Sequence, residues 1–228
     1  MSSTSGNIMP LQALLTKVPA EALRLFLLDA PTSGPLPVSE ERLWECVAAL
    51  DRLYHAREIL DLMTAEEPLT KAKALLREFG EFARDLHRHG VGFPEAFGQA
   101  MDDNVDTATA TGHLFALVRA VNRFGNNRAW IRRSSSLSKP GLLAMKIVAQ
   151  VLGIGALKPA EWFHQVRSLR LASMGQTEAH IDARIQARLA ARAGRDWAKA
   201  DTIRDELDAL GVVVMDDADA TSWRVRVG

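Results

Sequence analysis

The chain has 228 residues, a length that suits two modest domains. Hydrophobic residues make up 47% of it and aromatic residues only 6%, so the cores are expected to be aliphatic. Its 28 Lys and Arg residues balance its 28 Asp and Glu residues. The single cysteine, Cys46, excludes a disulfide framework and a cysteine-rich zinc site within one copy, and we expect a buried thiol there. No apolar run approaches the ~20 residues of a membrane span and the N-terminus lacks a signal-peptide pattern, so we expect a soluble, cytoplasmic protein with neither membrane nor DNA as a partner.

Apolar residues recur at helical spacing through the first two thirds of the chain. The predicted helices cover, in chain order, about Pro10–Leu28, Ser39–Met63, Leu69–His89, Phe93–Asp102, Thr107–Arg123 and Gly141–Leu152. Ser39 is the predicted N-cap of the second helix, and Gly90-Val-Gly is predicted to end the third. Helices of this length with short loops favour an antiparallel bundle.

The last fifty or so residues have a different pattern. A helix is predicted from Thr177 through Ala193, and a second, capped by Asp196, runs to Leu210. Gly211 is the expected left-handed residue after it. Two β-prone runs follow and predict a hairpin, Val212–Met215 and Thr221–Val227.

Residues 107–160 contain eight Lys and Arg and no Asp or Glu. This segment presents a positive field that would attract a polyanion. Its arginines include Arg119, Arg123, Arg128, Arg132 and Arg133. The alternative is a solvated basic face without a partner.

No catalytic constellation is visible in the sequence. The six histidines are scattered, and His87 and His89 are two residues apart, a spacing that does not share a helix face. There is no phosphate-binding glycine loop and no serine-centred elbow. We therefore predict no catalytic residue and no metal site.

The C-terminal sequence RLAARAGRDWAKADTIRDELDALG (188–211), followed by TSW (221–223), resembles the terminal domain of cysteinyl-tRNA synthetases, which are class I enzymes. Upstream, the segments 21–28, 35–41, 97–107 and 121–123 resemble the helical anticodon-binding domain of that family. MSSTSGN (1–7) resembles its signature loop, MSKSxGN.

The resemblance implies a mainly α fold: an antiparallel helical bundle of the DALR-like anticodon-binding type with a small C-terminal α/β appendage of two helices and a β-hairpin. It also implies a domain division. The expected segments are 1–38 as remnant of the signature loop and stem-contact segment, 39–160 as helical-bundle domain, 161–176 as linker and 177–228 as anticodon-recognition domain.

In the family, the positions of Arg192, Trp197, Asp201, Arg204 and Asp217 face the anticodon. An indole stacks on an unpaired base, whereas guanidinium and carboxylate groups read base edges. Helical spacing places Trp197, Asp201 and Arg204 on one face, although core packing is the alternative for Trp197.

Further tRNA-binding candidates lie close to these. Arg184, Arg188 and Arg192 recur every four residues and predict a basic stripe, of which Arg188 is a candidate contact. The alternative is a solvated stripe with acidic partners. Thr221 and Ser222 are also candidates, while Trp223 is expected to pack the hairpin against the helices.

Departures from the family pattern lie at the other end. In the loop of Ser2, Ser3 and Thr4, Ser3 replaces the lysine that stabilises charge on ATP phosphates, which a hydroxyl cannot do. The ATP-binding motif and the zinc ligands of the family belong to its catalytic domain, which this sequence lacks. No cofactor is therefore expected in this chain.

The favoured hypothesis is a tRNA-binding protein that recognises the cysteine anticodon and has no aminoacylation activity of its own; a tRNA-using enzyme is a possible partner. One alternative is the C-terminal half of a split cysteine–tRNA ligase, acting with a separate catalytic chain in ATP-dependent ligation. Others are a gene remnant and a protein-interaction bundle that binds no RNA.

Overall fold

The computed structural model describes residues 10–30, 36, 38–64, 71–216 and 221–227. The helices are α1 (Leu11–Leu15), α2 (Ala20–Leu28), α3 (Glu40–Thr64), α4 (Ala72–Glu78), α5 (Gly80–Asp102), α6 (Thr107–Gly125), α7 (Arg128–Ile131), α8 (Ser135–Val151), α9 (Pro159–Ser173), α10 (Glu178–Ala193) and α11 (Trp197–Ala209). The strands are β1 (Val212–Asp216) and β2 (Thr221–Val225). The predicted fold class, a helical bundle with a small α/β part, is confirmed.

The chain divides into two compact units. The bundle unit is Ala20–Trp162, and the C-terminal unit is Phe163–Gly228 together with Met1–Pro19. Most of the segment expected as a linker, 161–176, is helical, because α9 extends from Pro159 to Ser173.

Four long helices form the centre of the bundle unit. Both α3 and α5 pack against α6 and α8, and α2 covers one side of α3. The core side chains between them are fully or almost fully buried, among them Leu50, Leu53, Leu60, Leu86, Phe93, Leu114 and Phe124. Burying each such side chain contributes about 1.5–3 kcal/mol, so this core stabilises the unit.

Tyr54 joins three parts of the bundle unit. Its hydroxyl donates to Glu21 Oε2 of α2 at 2.6 Å and accepts from the Leu157 backbone N–H at 3.1 Å. The ring is buried and stacks on Trp162, with the ring centroids 4.8 Å apart. Burial, together with the Glu21 carboxylate, raises the pKa of Tyr54 well above its ordinary value.

The predicted helix end at Gly90 is wrong. α5 continues through Gly90 and Pro94, and the break lies earlier, at Gly80, whose φ is +65°. Gly90 instead allows a close helix crossing, because a Cβ there would meet Pro140 Cβ of α8 at 3.0 Å. A glycine that serves packing has the same sequence appearance as one that ends a helix.

Two other helix boundaries differ from the prediction. The helix expected over Pro10–Leu28 is divided: α1 ends at Leu15 and α2 begins at Ala20, directly after Pro19. α8 begins at Ser135 rather than Gly141, and Pro140 lies in its second turn. The segment between α6 and α8, which was expected to hold no element, contains α7.

The C-terminal unit pairs α10 with α11 and places β1 against α11. Its apolar core includes Ile181, Ile185, Ile203, Leu207 and Val212. The predicted hairpin is present, and its strands pair antiparallel with Val214 opposite Trp223.

The predicted caps at Ser39, Asp196 and Gly211 are confirmed. Ser39 Oγ accepts from the Arg42 backbone N–H at 3.2 Å. Thr177, which was predicted only as the start of its helix, is also a cap, because its Oγ1 accepts from the His180 N–H at 3.2 Å. Gly211 follows α11 with φ +72°. The cap at Asp196, also confirmed, shapes the candidate site described below.

Candidate nucleic-acid interface

A tight turn between α10 and α11 positions the candidate residues of the C-terminal unit. The Asp196 backbone N–H donates to Ala191 O at 2.9 Å, while Asp196 Oδ1 accepts from the Lys199 N–H at 3.1 Å. Arg195 holds the left-handed conformation, with φ +61°. The turn therefore fixes the start of α11, and with it the direction of Trp197.

Trp197 is exposed: 59% of its surface is accessible in the first turn of α11. Asp201 and Arg204, which follow at helical spacing, are exposed as well. The buried face of α11 is formed by Ala200, Ile203 and Leu207, roughly a quarter turn away from Trp197 at ~100° per residue. The three predicted residues thus share one solvent-facing side of the helix.

The hairpin borders that side of α11. Asp208, which lies ~3 turns from Trp197 on the same side, accepts from Arg226 Nη2 at 2.7 Å just after β2. Thr221 is half-buried at the far end of the hairpin, where it pairs with Asp216. Asp217 and the side chain of Ser222 lie outside the described part of the chain.

Arg188 does not lie where the basic stripe requires it. It is buried, with 7% of its surface accessible, because it shares the core-facing side of α10 with Ile181 and Ile185. Arg184 forms an ion pair with Glu206 of α11, and Arg192 is exposed at the end of α10. A continuous exposed stripe along α10 is therefore absent, and Arg192 is the stripe residue nearest to Trp197 in the sequence.

Trp223 packs as predicted. Its Nε1 donates to Asp182 Oδ1 of α10 at 2.8 Å, and the Arg167 guanidinium lies 4.5 Å from the ring centroid. Both contacts are made within the C-terminal unit, so Trp223 holds the hairpin to the helices.

The basic segment of the bundle unit is partly neutralised. Arg123 forms an ion pair with Asp85, and Arg133 pairs with Glu78 and lies over the Phe79 ring. The remaining arginines of the predicted basic face are exposed, namely Arg119, Arg128 and Arg132.

The described ranges contain no group of three or more His, Cys, Asp and Glu side chains that could hold a metal ion. In the same ranges, no helix is long and apolar enough to cross a membrane. Ser2, Ser3 and Thr4 of the predicted signature loop lie outside the described residues.

Comparison with known families agrees with this geometry. Residues 174–224 match the model of the cysteinyl-tRNA ligase anticodon binding domain, and residues 96–157 match the DALR domain. The chain corresponds in sequence to the C-terminal, anticodon-binding part of cysteinyl-tRNA synthetases. The first matched segment contains α10, α11 and most of the hairpin, while the second extends from the end of α5 through α8.

Several cysteine–tRNA ligases are similar to this chain over almost its whole length. The chain is 36% identical to a cysteine–tRNA ligase of Geobacter metallireducens, 34% identical to one of Geobacter sulfurreducens and 32% identical to one of Nitratidesulfovibrio vulgaris. Each match covers 99% of this chain and 45% of the relative. The chain thus spans less than half the length of these synthetases.

Two features of the interface were not predicted from the sequence. The first is the left-handed backbone of Arg195, for which the Gly194-Arg195-Asp196 sequence at a helix end is a usable signal. The second is the ion pair between Asp208 and Arg226, which depends on the return of β2 along α11.

Proposed function

We propose that this chain binds tRNA and that the exposed side of α11 recognises the anticodon of cysteine tRNA. The observation that carries the proposal is the exposure of Trp197, of which 59% of the surface is accessible to solvent. The polar residues Asp201 and Arg204 lie on the same exposed side of the helix. In this proposal the chain recognises the RNA and takes no part in ATP chemistry.

The residue types support base recognition. Stacking of an unpaired base on an aromatic ring contributes about 1–3 kcal/mol, and every base has a face to stack. A guanidinium and a carboxylate beside the ring add discrimination, because Arg donates to and Asp accepts from the edges of splayed bases. Trp197, Asp201 and Arg204 offer these three functions within ~10 Å of helix length.

Neighbouring groups extend the proposed surface. Arg192, exposed at the end of α10, adds a positive charge five residues before Trp197 in the chain. Asp217, Thr221 and Ser222 complete the proposed anticodon contacts from the hairpin. Arg188 is left out of direct contact, because it is buried in the core of the unit.

The bundle unit supplies a second proposed contact. Arg119, Arg128 and Arg132 are exposed, and positive side chains strengthen encounter with RNA phosphates without reading the sequence. Arg123 and Arg133 form ion pairs with Asp85 and Glu78, which reduce the positive charge that they present to RNA.

Replacing Trp197 by Ala tests the proposal. We expect the affinity for cysteine tRNA to fall about tenfold, as the loss of one stacked base predicts. Leu143→Ala is the control, because Leu143 is also an exposed hydrophobic residue, with 50% of its surface accessible, but lies on α8 of the bundle unit outside the proposed contacts. Equal affinities for the Trp197 and Leu143 variants would contradict anticodon recognition by α11.

A further inference from the structure

A groove of about 850 Å³ opens on the bundle unit between α2, α3, α5 and α6. Leu25, Phe26 and Ala49 form part of its apolar wall, and Phe115 and Val118 continue it on α6. Along α3 the groove extends from Arg42 to Arg52, ~15 Å of helix. Its volume lies within the ~300–1,000 Å³ typical of small-molecule sites.

Four arginines line this groove: Arg42, Arg52, Arg119 and Arg123. Arg123 is neutralised by Asp85. The other three form no ion pair within the part of the chain that the structure describes. Guanidinium groups that line one concavity attract an anion, and their planar donors match phosphate oxygens.

The two ends of the groove differ in charge. Asp29 and Glu45 lie near Cys46 at the Arg42 end, where burial first and then these two carboxylates raise the pKa of the thiol to about 11. At the other end, Arg52, Arg119 and Asn122 line the groove and no carboxylate does. A ligand with an anionic end and a donor-bearing end fits this polarity.

Asn122 supplies an unused acceptor at the basic end. Its Nδ2 donates to the backbone oxygen of Arg52 at 3.0 Å. Its Oδ1 is buried and has no hydrogen-bond partner among the described residues. Because a buried acceptor without a partner is costly, a small rotation of the Asn122 amide that opens Oδ1 to a donating ligand hydroxyl or amino group would be favoured.

We propose that this groove binds one nucleotide unit. The phosphate lies between Arg52 and Arg119, a ribose hydroxyl donates to Asn122 Oδ1, and the base packs against the apolar wall with its amino group toward Asp29 and Glu45. The nucleotide comes either from solution, as a free mononucleotide, or from an unpaired position of a bound RNA. The second source rests on the proposed tRNA binding, whereas the first does not.

Calorimetric titration of the intact chain tests the free-nucleotide source. The probes are adenosine and guanosine monophosphates, with inorganic phosphate for comparison. The site is supported if either nucleotide binds and its affinity falls at least tenfold in Arg52→Ala and in Arg119→Ala. The affinity should not fall in Arg77→Ala. Arg77 is the control because it is an exposed arginine on α4 outside the groove. Phosphate binding as tight as nucleotide binding would overturn the assignment of a nucleotide.

The alkylation rate of Cys46 shows whether the groove is occupied, without a measurement of binding affinity. It is the only cysteine of the chain and it lines the groove, so alkylation followed by mass spectrometry reads one site. At pH 9 a bound nucleotide should slow its alkylation, and the Arg119→Ala variant should lose that protection. This readout needs no change to any residue of the proposed anticodon surface.

The RNA source is tested with cysteine tRNA. Two results together would support a nucleotide of the RNA in the groove. The first is protection of Cys46 by tRNA. The second is a tenfold lower tRNA affinity in Arg52→Ala and in Arg119→Ala, with the anticodon preference unchanged. Nucleotide binding without any tRNA binding would leave the groove established and refute the proposed function. If neither free nucleotides nor tRNA protect Cys46, the groove proposal is wrong.

Discussion

Trp223 Nε1 donates a hydrogen bond to Asp182 Oδ1 at 2.8 Å, which fastens the hairpin to α10. Trp197, by contrast, leaves 59% of its surface in solvent at the start of α11. Two tryptophans of one small unit therefore have opposite roles: one stabilises the fold, and the other is available for a ligand.

Asp182→Ala is expected to lower the free energy of unfolding by about 0.5–1.5 kcal/mol, because the indole N–H of Trp223 loses its protein acceptor at a partly exposed position. Asp182→Asn should cost less, since an amide oxygen still accepts. Trp197→Ala should change stability by less than ~0.5 kcal/mol, as for other surface substitutions. Denaturant unfolding followed by circular dichroism measures all three, and a Trp197 variant as unstable as Asp182→Ala would refute this division of roles.

Tyr54→Phe is expected to destabilise the bundle unit by about 1–3 kcal/mol, because Leu157 N–H loses its acceptor and Glu21 loses a donor. Chemical denaturation measures the difference. A cost below 0.5 kcal/mol would show that the hydroxyl contributes nothing that water does not replace.

The same tyrosine predicts a dependence on alkaline pH. Because the folded protein raises the pKa of Tyr54, the stability it contributes is complete below the ordinary tyrosine pKa of ~10 and is lost as the pH rises above that value. The wild-type advantage over Tyr54→Phe should therefore shrink above pH ~10. Tyr54 is the only tyrosine, so its phenolate absorbance reports this group alone; an ordinary titration near pH 10 in the folded protein would contradict the expectation.

Gly90 and Gly92 form a matched pair on α5. A Cβ at Gly90 would lie 3.0 Å from Pro140 Cβ, whereas a Cβ at Gly92 meets nothing within 4 Å. Gly90→Ala should therefore destabilise the chain by about 1–3 kcal/mol through overpacking, and Gly92→Ala should stabilise it by about 0.5–1 kcal/mol through helix propensity. Thermal unfolding distinguishes them, and a stabilising Gly90→Ala would show that the crossing of α5 and α8 is looser than described.

These glycines also show where sequence reasoning was limited. Capping side chains act on their own helix, so Ser39, Thr177 and Asp196 were predictable from local sequence alone. Gly90 acts on a residue fifty positions away, and no local pattern distinguishes a close helix crossing from a helix end.

The candidate site shows the same contrast. Helical spacing placed Trp197, Asp201 and Arg204 on one side of α11, but only the packed unit shows that this side faces solvent. Equal spacing on α10 suggested a basic stripe, and packing against α11 buried Arg188 within it. The groove was not predictable, because Arg52 and Asn122 are seventy positions apart and meet only through the packing of α3 on α6.

The most direct test of the proposed function compares two RNAs. Cysteine tRNA and the same tRNA with a changed anticodon are titrated into the intact chain at low and at moderate salt. We expect at least a tenfold preference for the unchanged anticodon, since a mismatched base typically costs about 1–3 kcal/mol, and we expect the preference to persist as salt weakens both affinities. Equal binding of the two RNAs, falling together with salt, would contradict anticodon recognition and leave only a basic surface.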